Sequence, residues 1–175
     1  MTWTAIAYNL GKRVKPIWDT RILNFMPSNT DLLVPESDEP ILVMDMGGII
    51  RNRPDPFPLP SSPEKTYVDF GLIWGEDIID LIMSDKGKVI LPLRKLQGFQ
   101  ELDAALAYAN DVTIGIDWSQ SVESQHEDFS VDIVQLLQKL HQRGQTDILI
   151  YSLTGECPYI PAGTAVNLDI KLAYL

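Results

Sequence analysis

The sequence predicts a mainly β domain of the α+β class: an antiparallel sandwich or barrel-like core with two or three short helices and extended proline-rich arms. Three observations predict it. In TAVNLDIKLAY, Val166, Leu168, Ile170, Leu172 and Tyr174 alternate with Asn167, Asp169, Lys171 and Ala173, the period of two of a strand with one wet face. The runs TYVDFGLIW (66–74), KVILPL (88–93), DVTIGIDW (111–118) and TDILIYSL (146–153) are rich in β-branched and aromatic residues. Pro54, Pro56, Pro58, Pro60 and Pro63 crowd residues 51–65, and a residue that lacks an amide donor and has a fixed φ neither coils nor pairs in a central strand.

Taken in order, the 175 residues read as a single domain, 1–175, long enough to bury a real core. Residues 10–40, punctuated by Pro16, Pro27, Pro35 and Pro40, and residues 51–65 read as extended arms or loops, of the kind that become ordered by lying on a neighbouring subunit. Between them, ILVMDMGGIIRNR (41–53) reads as a bend joining two strands, with Gly47 and Gly48 supplying positive φ. GEDIIDLIMSDKGK predicts a short helix between the strands at 66–74 and 88–93. Glu76 and Asp77 sit at its positive end, Ile78, Ile79 and Ile82 make an apolar face, and Gly87 stops it. Pro92 marks the strand at 88–93 as an edge or a bulge. FQELDAALAYAN (99–110) has helical spacing through Phe99, Leu102, Leu106 and Ala109, with Asn110 as its C-terminal cap. In 128–143, Phe129, Val131 and Ile133 alternate while Val134, Leu137 and Leu140 follow a helix, which leaves strand and helix both open; the reading taken is a helix ending at Gly144, with or without a short strand before it. The last two strands, linked by TGECPYIPAG, read as a hairpin with a long loop.

Charge narrows the function. The net charge is −10, and no Lys or Arg lies between Lys95 and Lys139, so a nucleic-acid binder that neutralises phosphates is not expected. Lys12, Arg13, Lys15, Arg21, Arg51 and Arg53 make the N-terminal part locally basic, which suits head-to-tail contact between copies. Cys157 is the single cysteine, which rules out an internal disulfide and a thiolate-rich metal site. No signal peptide and no membrane span are expected from the apolar runs.

The motifs that could carry chemistry are incomplete. Gly47-Gly48 is followed by β-prone residues and no Lys, so it lacks the helix and cation of a phosphate loop. Asp117, Glu123, Glu127 and Asp128 flank His126, but without calcium-loop or zinc-helix spacing, and His141 has no partner motif. Asp169 and Lys171 resemble the D-x-K half of a metal-dependent nuclease site, with Asp45 or Asp55 as the distant partner, yet the alternation already puts both on the wet face of the last strand. The negative charge of Glu156 disfavours a Cys157 thiolate, and Glu76 and Asp80 suit the dipole of a helix start. Trp3, Trp18, Trp74 and Trp118, without interleaved basic residues, read as core or subunit-contact residues.

PILVMDMGGIIRNR, KTYVDFGLIWGEDIIDLIMSDKGKVILPL and DVTIGIDWSQSVESQHEDFSVDIVQL together resemble the β-barrel components of tailed-phage tails, the tube-like, hub and baseplate-adaptor proteins. That resemblance covers about half of the chain. It implies a non-enzymatic assembly protein of the virion, assembled in the host cytoplasm, that forms a ring with copies of itself and other virion proteins. No cofactor, membrane or sequence-specific nucleic acid is expected as a partner. Arg51, Arg53, Pro56, Phe57, Trp18, Arg21 and Phe25 are the expected interface residues. The segments GFQELDAALAYANDVTIGI and ILIYSLTGECPYIPAGTAVNLDIKL are similar to parts of cohesin-type sandwich modules, which makes a protein-binding module the alternative and a metal-dependent nuclease the second alternative.

Overall fold

The computed structural model describes residues 2–19, 22–31, 39–52, 63–85, 87–109, 111–164 and 166–174. Its strands are β1 (Thr2–Asn9), β2 (Lys12–Asp19), β3 (Ile22–Asp31), β4 (Ile41–Asp45), β5 (Thr66–Asp69), β6 (Lys88–Pro92), β7 (Thr113–Trp118), β8 (Val122–Glu123), β9 (Asp147–Ser152) and β10 (Asp169–Tyr174). The apolar runs lie side by side and point the same way. β1, β4, β5, β6, β7, β9 and β10 pair in that order, each pair parallel, and β10 pairs in turn with β1, so seven strands close a barrel. Closure leaves none of these seven with a free edge.

The helices explain the parallel arrangement. Strands joined in parallel need a crossover, and most of the links here carry a helix. α1 (Met46–Arg51) follows β4, α2 (Ile78–Met83) joins β5 to β6, α3 (Phe99–Tyr108) joins β6 to β7, and α4 (Ile133–Gln142) joins β7 to β9. Their buried faces, among them Leu81, Leu102, Ala105, Leu136 and Leu140, pack with Val68, Leu91, Ile114, Ile116, Ile148 and Ile150 on the outside of the barrel. Burying such a side chain fully is worth about 1.5–3 kcal/mol, so this shell is the main stabilising layer. The opposite strand faces send Trp3, Ala7, Leu42, Met44, Ile90, Leu149, Tyr151 and Ala173 into a second cluster that fills the barrel.

One mouth is plugged. At the C-terminal ends of the strands, β2 and β3 form an antiparallel hairpin, with Trp18 opposite Leu23 and Pro16 opposite Phe25. Leu23 from the hairpin and Met46 and Ile49 from α1 join the lumen cluster. The hairpin and α1 thus close the mouth into which the strand ends point.

Several expectations are corrected. The mainly β class and the barrel-like core hold, but the sandwich is replaced by a parallel barrel, and four α-helices stand where two or three were expected, among the described residues. The final two strands are parallel neighbours, not a hairpin. The supposedly wet face of β10 points into the lumen, where Lys171 is buried and Ala173 fully so. ILVMDMGGIIRNR does not bend between strands: the Asp45 carboxylate accepts from the Gly48 amide and starts α1, so both glycines are helical. Most of the supposed arm at 10–40 is the hairpin. Its prolines are tolerated because β3 is an outer edge and β2 pairs with β1 only through Arg13 and Lys12. Of the arm at 51–65, residues 53–62 lie outside the described residues, and Pro63–Lys65 form a 3-10 turn. Pro92 is at neither an edge nor a bulge, since β6 is paired on both sides; it ends the strand, and the ladder resumes with the Leu93 amide donating to the Gly115 carbonyl at 2.9 Å. On α2, Ile78 and Leu81 are buried while Ile79 and Ile82 are exposed. No strand precedes α4 within 124–132, where Phe129 sits in a turn. The strand–helix–strand unit at 66–92 and the helix stopping before Gly144 are as expected. Among the described residues no helix is long and apolar enough to cross a membrane.

Candidate functional site

The residues that end the barrel strands differ in kind from those that fill them. Asp69 is the last residue of β5, Arg94 lies just beyond β6, and Asp117 and Tyr151 each occupy the next-to-last position of β7 and β9. The strand period turns all of them towards the plugged mouth, with Asp117 and Tyr151 in direct register.

Arg94 is the hub, with a side chain that has no exposed surface. Its Nε donates to Asp117 Oδ2 at 2.7 Å and its Nη2 to Asp117 Oδ1 at 2.8 Å, a bidentate pair. The same Nη2 lies 2.6 Å from Asp69 Oδ2, a second ion pair. Asp69 Oδ1 accepts from the Gly71 amide at 2.9 Å, and Asp117 Oδ2 accepts from the Trp18 indole at 3.0 Å. The Tyr151 ring lies beneath the guanidinium, 5.3 Å from ring centre to Cζ. A Cβ on Gly115 would come within 2.9 Å of Tyr151 Cε2 and Ile90 Cγ2, so only glycine there admits the ring. The loop bearing Arg94 is tied down from outside, since Gln125 N donates to the Arg94 carbonyl at 2.8 Å and Ser124 Oγ to the Leu93 carbonyl at 3.0 Å.

Within this buried group Asp69 is held by Arg94 Nη2 at 2.6 Å and sits against the Tyr151 hydroxyl, while Arg94 Nη1 has no hydrogen-bond partner. Burying such a donor unpaired costs about 1–3 kcal/mol, which a purely structural network has no reason to bear. The electrostatics follow. Burial would lower the Arg94 pKa, but Asp117 and Asp69 outweigh it and hold the guanidinium firmly charged. Burial, opposed by Arg94, pushes the Asp117 carboxyl up, and burial together with Asp69 pushes the Tyr151 phenol well up, keeping it a neutral hydroxyl. Next to the hub, Lys95 donates to the Ile49 carbonyl at 2.7 Å, and burial and Arg94 lower its pKa.

Few of the residues singled out in the sequence meet here. Asp117 does, and Trp18 does through its indole. Phe25 is half-buried on the hairpin, and Arg51 is exposed at the end of α1. Arg21, Arg53, Pro56 and Phe57 lie outside the described residues, as does Asp55. Of the acids around His126, Asp128 stays beside the ring, 3.6 Å from Nδ1, but the group forms no common centre. Asp128 accepts from the Phe99 amide at the start of α3, His126 Nδ1 accepts from the Asp128 amide, and Glu123 accepts from Ser119. The D-x-K pair is at the opposite end of the barrel from Asp45, with Lys171 held by Asp147 and Asp169. Among the described residues no group of His, Cys, Asp and Glu is arranged to hold a metal ion. Asp69, Arg94 and Tyr151 were not foreseen. Their signal is a polar residue closing each apolar run, in YVD, LPLR, GID and LIY, always at the same phase. No protein-family model matches the chain, and no curated protein matches it in sequence.

Proposed function

We propose that the protein is an enzyme doing acid–base chemistry on a small ligand at the C-terminal mouth of the barrel. The observation that carries this reading is the fully buried cluster of Arg94, Asp117, Asp69 and Tyr151 gathered at the strand ends, in which Arg94 Nη1 is left without a hydrogen-bond partner. In this reading Asp69 accepts a proton, neutral Tyr151 donates one, and Arg94 orients the ligand while balancing the carboxylates. Asp117 holds Arg94 and is the positioning residue. This departs from the non-enzymatic expectation drawn from the sequence.

The test is Tyr151→Phe. A hydroxyl kept for a ligand contributes nothing to folding, so the variant should be at least as stable as the parent in urea unfolding. A loss above about 2 kcal/mol would mark the hydroxyl as a structural hydrogen-bonding group and sink the reading.

A ring-forming virion protein is the second reading. It is supported by a row of exposed apolar side chains on and before α2: Trp74, Ile79, Ile82 and Met83, the last 78% exposed. Such a row is suited to burial against another copy. Native mass measurement tests it, and a strict monomer at high concentration would remove it.

A further inference from the structure

Resting on the ring-forming reading and independent of the buried group at the mouth, we infer that copies of the chain join head to tail, the outer face of one copy's β2–β3 hairpin seated on the apolar row along α2 of the next. The hairpin has two unlike faces. Neighbours across an antiparallel pair share a face, so Lys15 opposite Met26 and Ile17 opposite Asn24 lie on one side, together with Arg13 two residues earlier. All five are exposed. The other side sends Val14, Trp18, Leu23 and Phe25 into or against the lumen cluster, so it is spent on the plug. The outer side thus offers two apolar side chains, Ile17 and Met26, beside two cations, Arg13 and Lys15. The one acid of β2 in phase with them, Asp19, ends the strand.

The row along α2 is its complement. Ile79, Ile82 and Met83 are spaced three and four apart, so they make one exposed stripe on the helix. Glu76 and Asp80 come three positions before Ile79 and Met83 and border that stripe, and Asp77 and Asp85 are exposed beside it. No Lys or Arg occurs between Lys65 and Lys86 to offset them. An apolar stripe edged by carboxylates selects a partner that brings apolar side chains among cations, which is what the outer face of the hairpin carries. Two copies presenting their stripes to each other would set acid against acid, so charge favours the unlike pairing and fixes its orientation. Both surfaces are exposed in the same copy, so they are not joined within it. A contact between unlike patches repeats from copy to copy, and it closes as a ring or runs on as a filament.

The experiment is sedimentation velocity of the full chain over a concentration series, with two double variants of exposed side chains, Arg13→Glu with Lys15→Glu and Ile82→Asp with Met83→Asp. Unchanged melting curves establish that each variant is folded; where one is not, Lys15→Ser or Met83→Ser takes its place. The parent should self-associate, and less tightly as salt rises. Each variant alone should associate at least tenfold more weakly. Mixed in equal amounts, the two should form a dimer and nothing larger, because the intact hairpin of one fits the intact stripe of the other and no second contact can follow. A parent that stays monomeric at every concentration overturns this interface and the ring-forming reading together. A self-associating parent that either variant leaves unchanged overturns the pairing of hairpin with stripe and leaves the ring-forming reading standing. Two monomeric variants whose mixture is also monomeric overturn the head-to-tail arrangement, and association insensitive to salt overturns the role of charge.

Discussion

Arg94 shows how much depends on a single side chain. It faces two buried carboxylates, Asp117 in bidentate contact and Asp69 at 2.6 Å. Replacing it with Met keeps the bulk but leaves both carboxylates without a counter-charge, and removing one partner of a buried pair costs about 3–5 kcal/mol. Arg94→Met should lose that much in urea unfolding at pH 7 and recover part of it in acid, where Asp117, whose carboxyl burial pushes up, takes a proton. A uniform loss across pH would mean that packing, not charge, was removed. Lys171 gives a prediction of opposite kind. Burial alone would lower its pKa, but hydrogen bonds to Asp147 and Asp169 raise it above the ordinary 10.5. The folded chain therefore holds the proton more tightly than the unfolded one. The resulting stability is fully present below pH 10.5 and lost as pH rises through the higher folded value. The advantage of wild type over Lys171→Met should shrink in that alkaline window, as read from melting temperatures. A constant difference would mean that the lysine stabilises by packing its stem alone.

Elements divide into those that support the barrel and those that cover it. α4 is a support: Asp132 accepts from the Val134 amide at 2.9 Å and starts a helix whose Leu136, Leu137 and Leu140 are fully buried. Asp132→Ala should cost about 0.5–2 kcal/mol without affecting ligand binding. The β2–β3 hairpin is a cover, anchored in the lumen cluster by Leu23. Leu23→Ala should cost about 2–5 kcal/mol if the hairpin unfolds together with the barrel. If the hairpin opens on its own, global stability barely changes and amide exchange accelerates in residues 12–31 only. Hydrogen exchange measured on both variants separates these outcomes. The support at 99–110 was readable in the sequence, because its apolar spacing depends on local geometry, whereas 128–143 carried both strand and helix patterns until α4 resolved them. The cover was not, because Pro16 and Pro27 argue against a strand until the neighbouring edge is known to be free.

For the molecule as a whole, what escaped the sequence was direction and closure. Alternation along β10 is the same whether the polar side faces water or a lumen, and nothing local in TDILIYSL or TAVNLDIKLAY says that they run parallel. The buried group at the mouth escaped for the same reason, since Asp69, Arg94, Asp117 and Tyr151 are far apart in the chain and meet only once the strands are in register. What was legible was the strand–helix–strand unit at 66–92 and the apolar runs that became the barrel strands. The seam of that barrel has a consequence in time. β1 completes its pairing only against β10, through Thr2 with Leu172, Trp3 with Ala173 and Thr4 with Tyr174. Ribosomes add about 5–20 residues each second, so the first strand emerges roughly ten seconds or more before the partner that seals it. Contacts this remote in sequence also make folding slow, and refolding followed by stopped-flow tryptophan fluorescence should take milliseconds to seconds, not microseconds. For that interval the nascent chain carries an open sheet edge, and a cell making this protein has to keep other strands away from it.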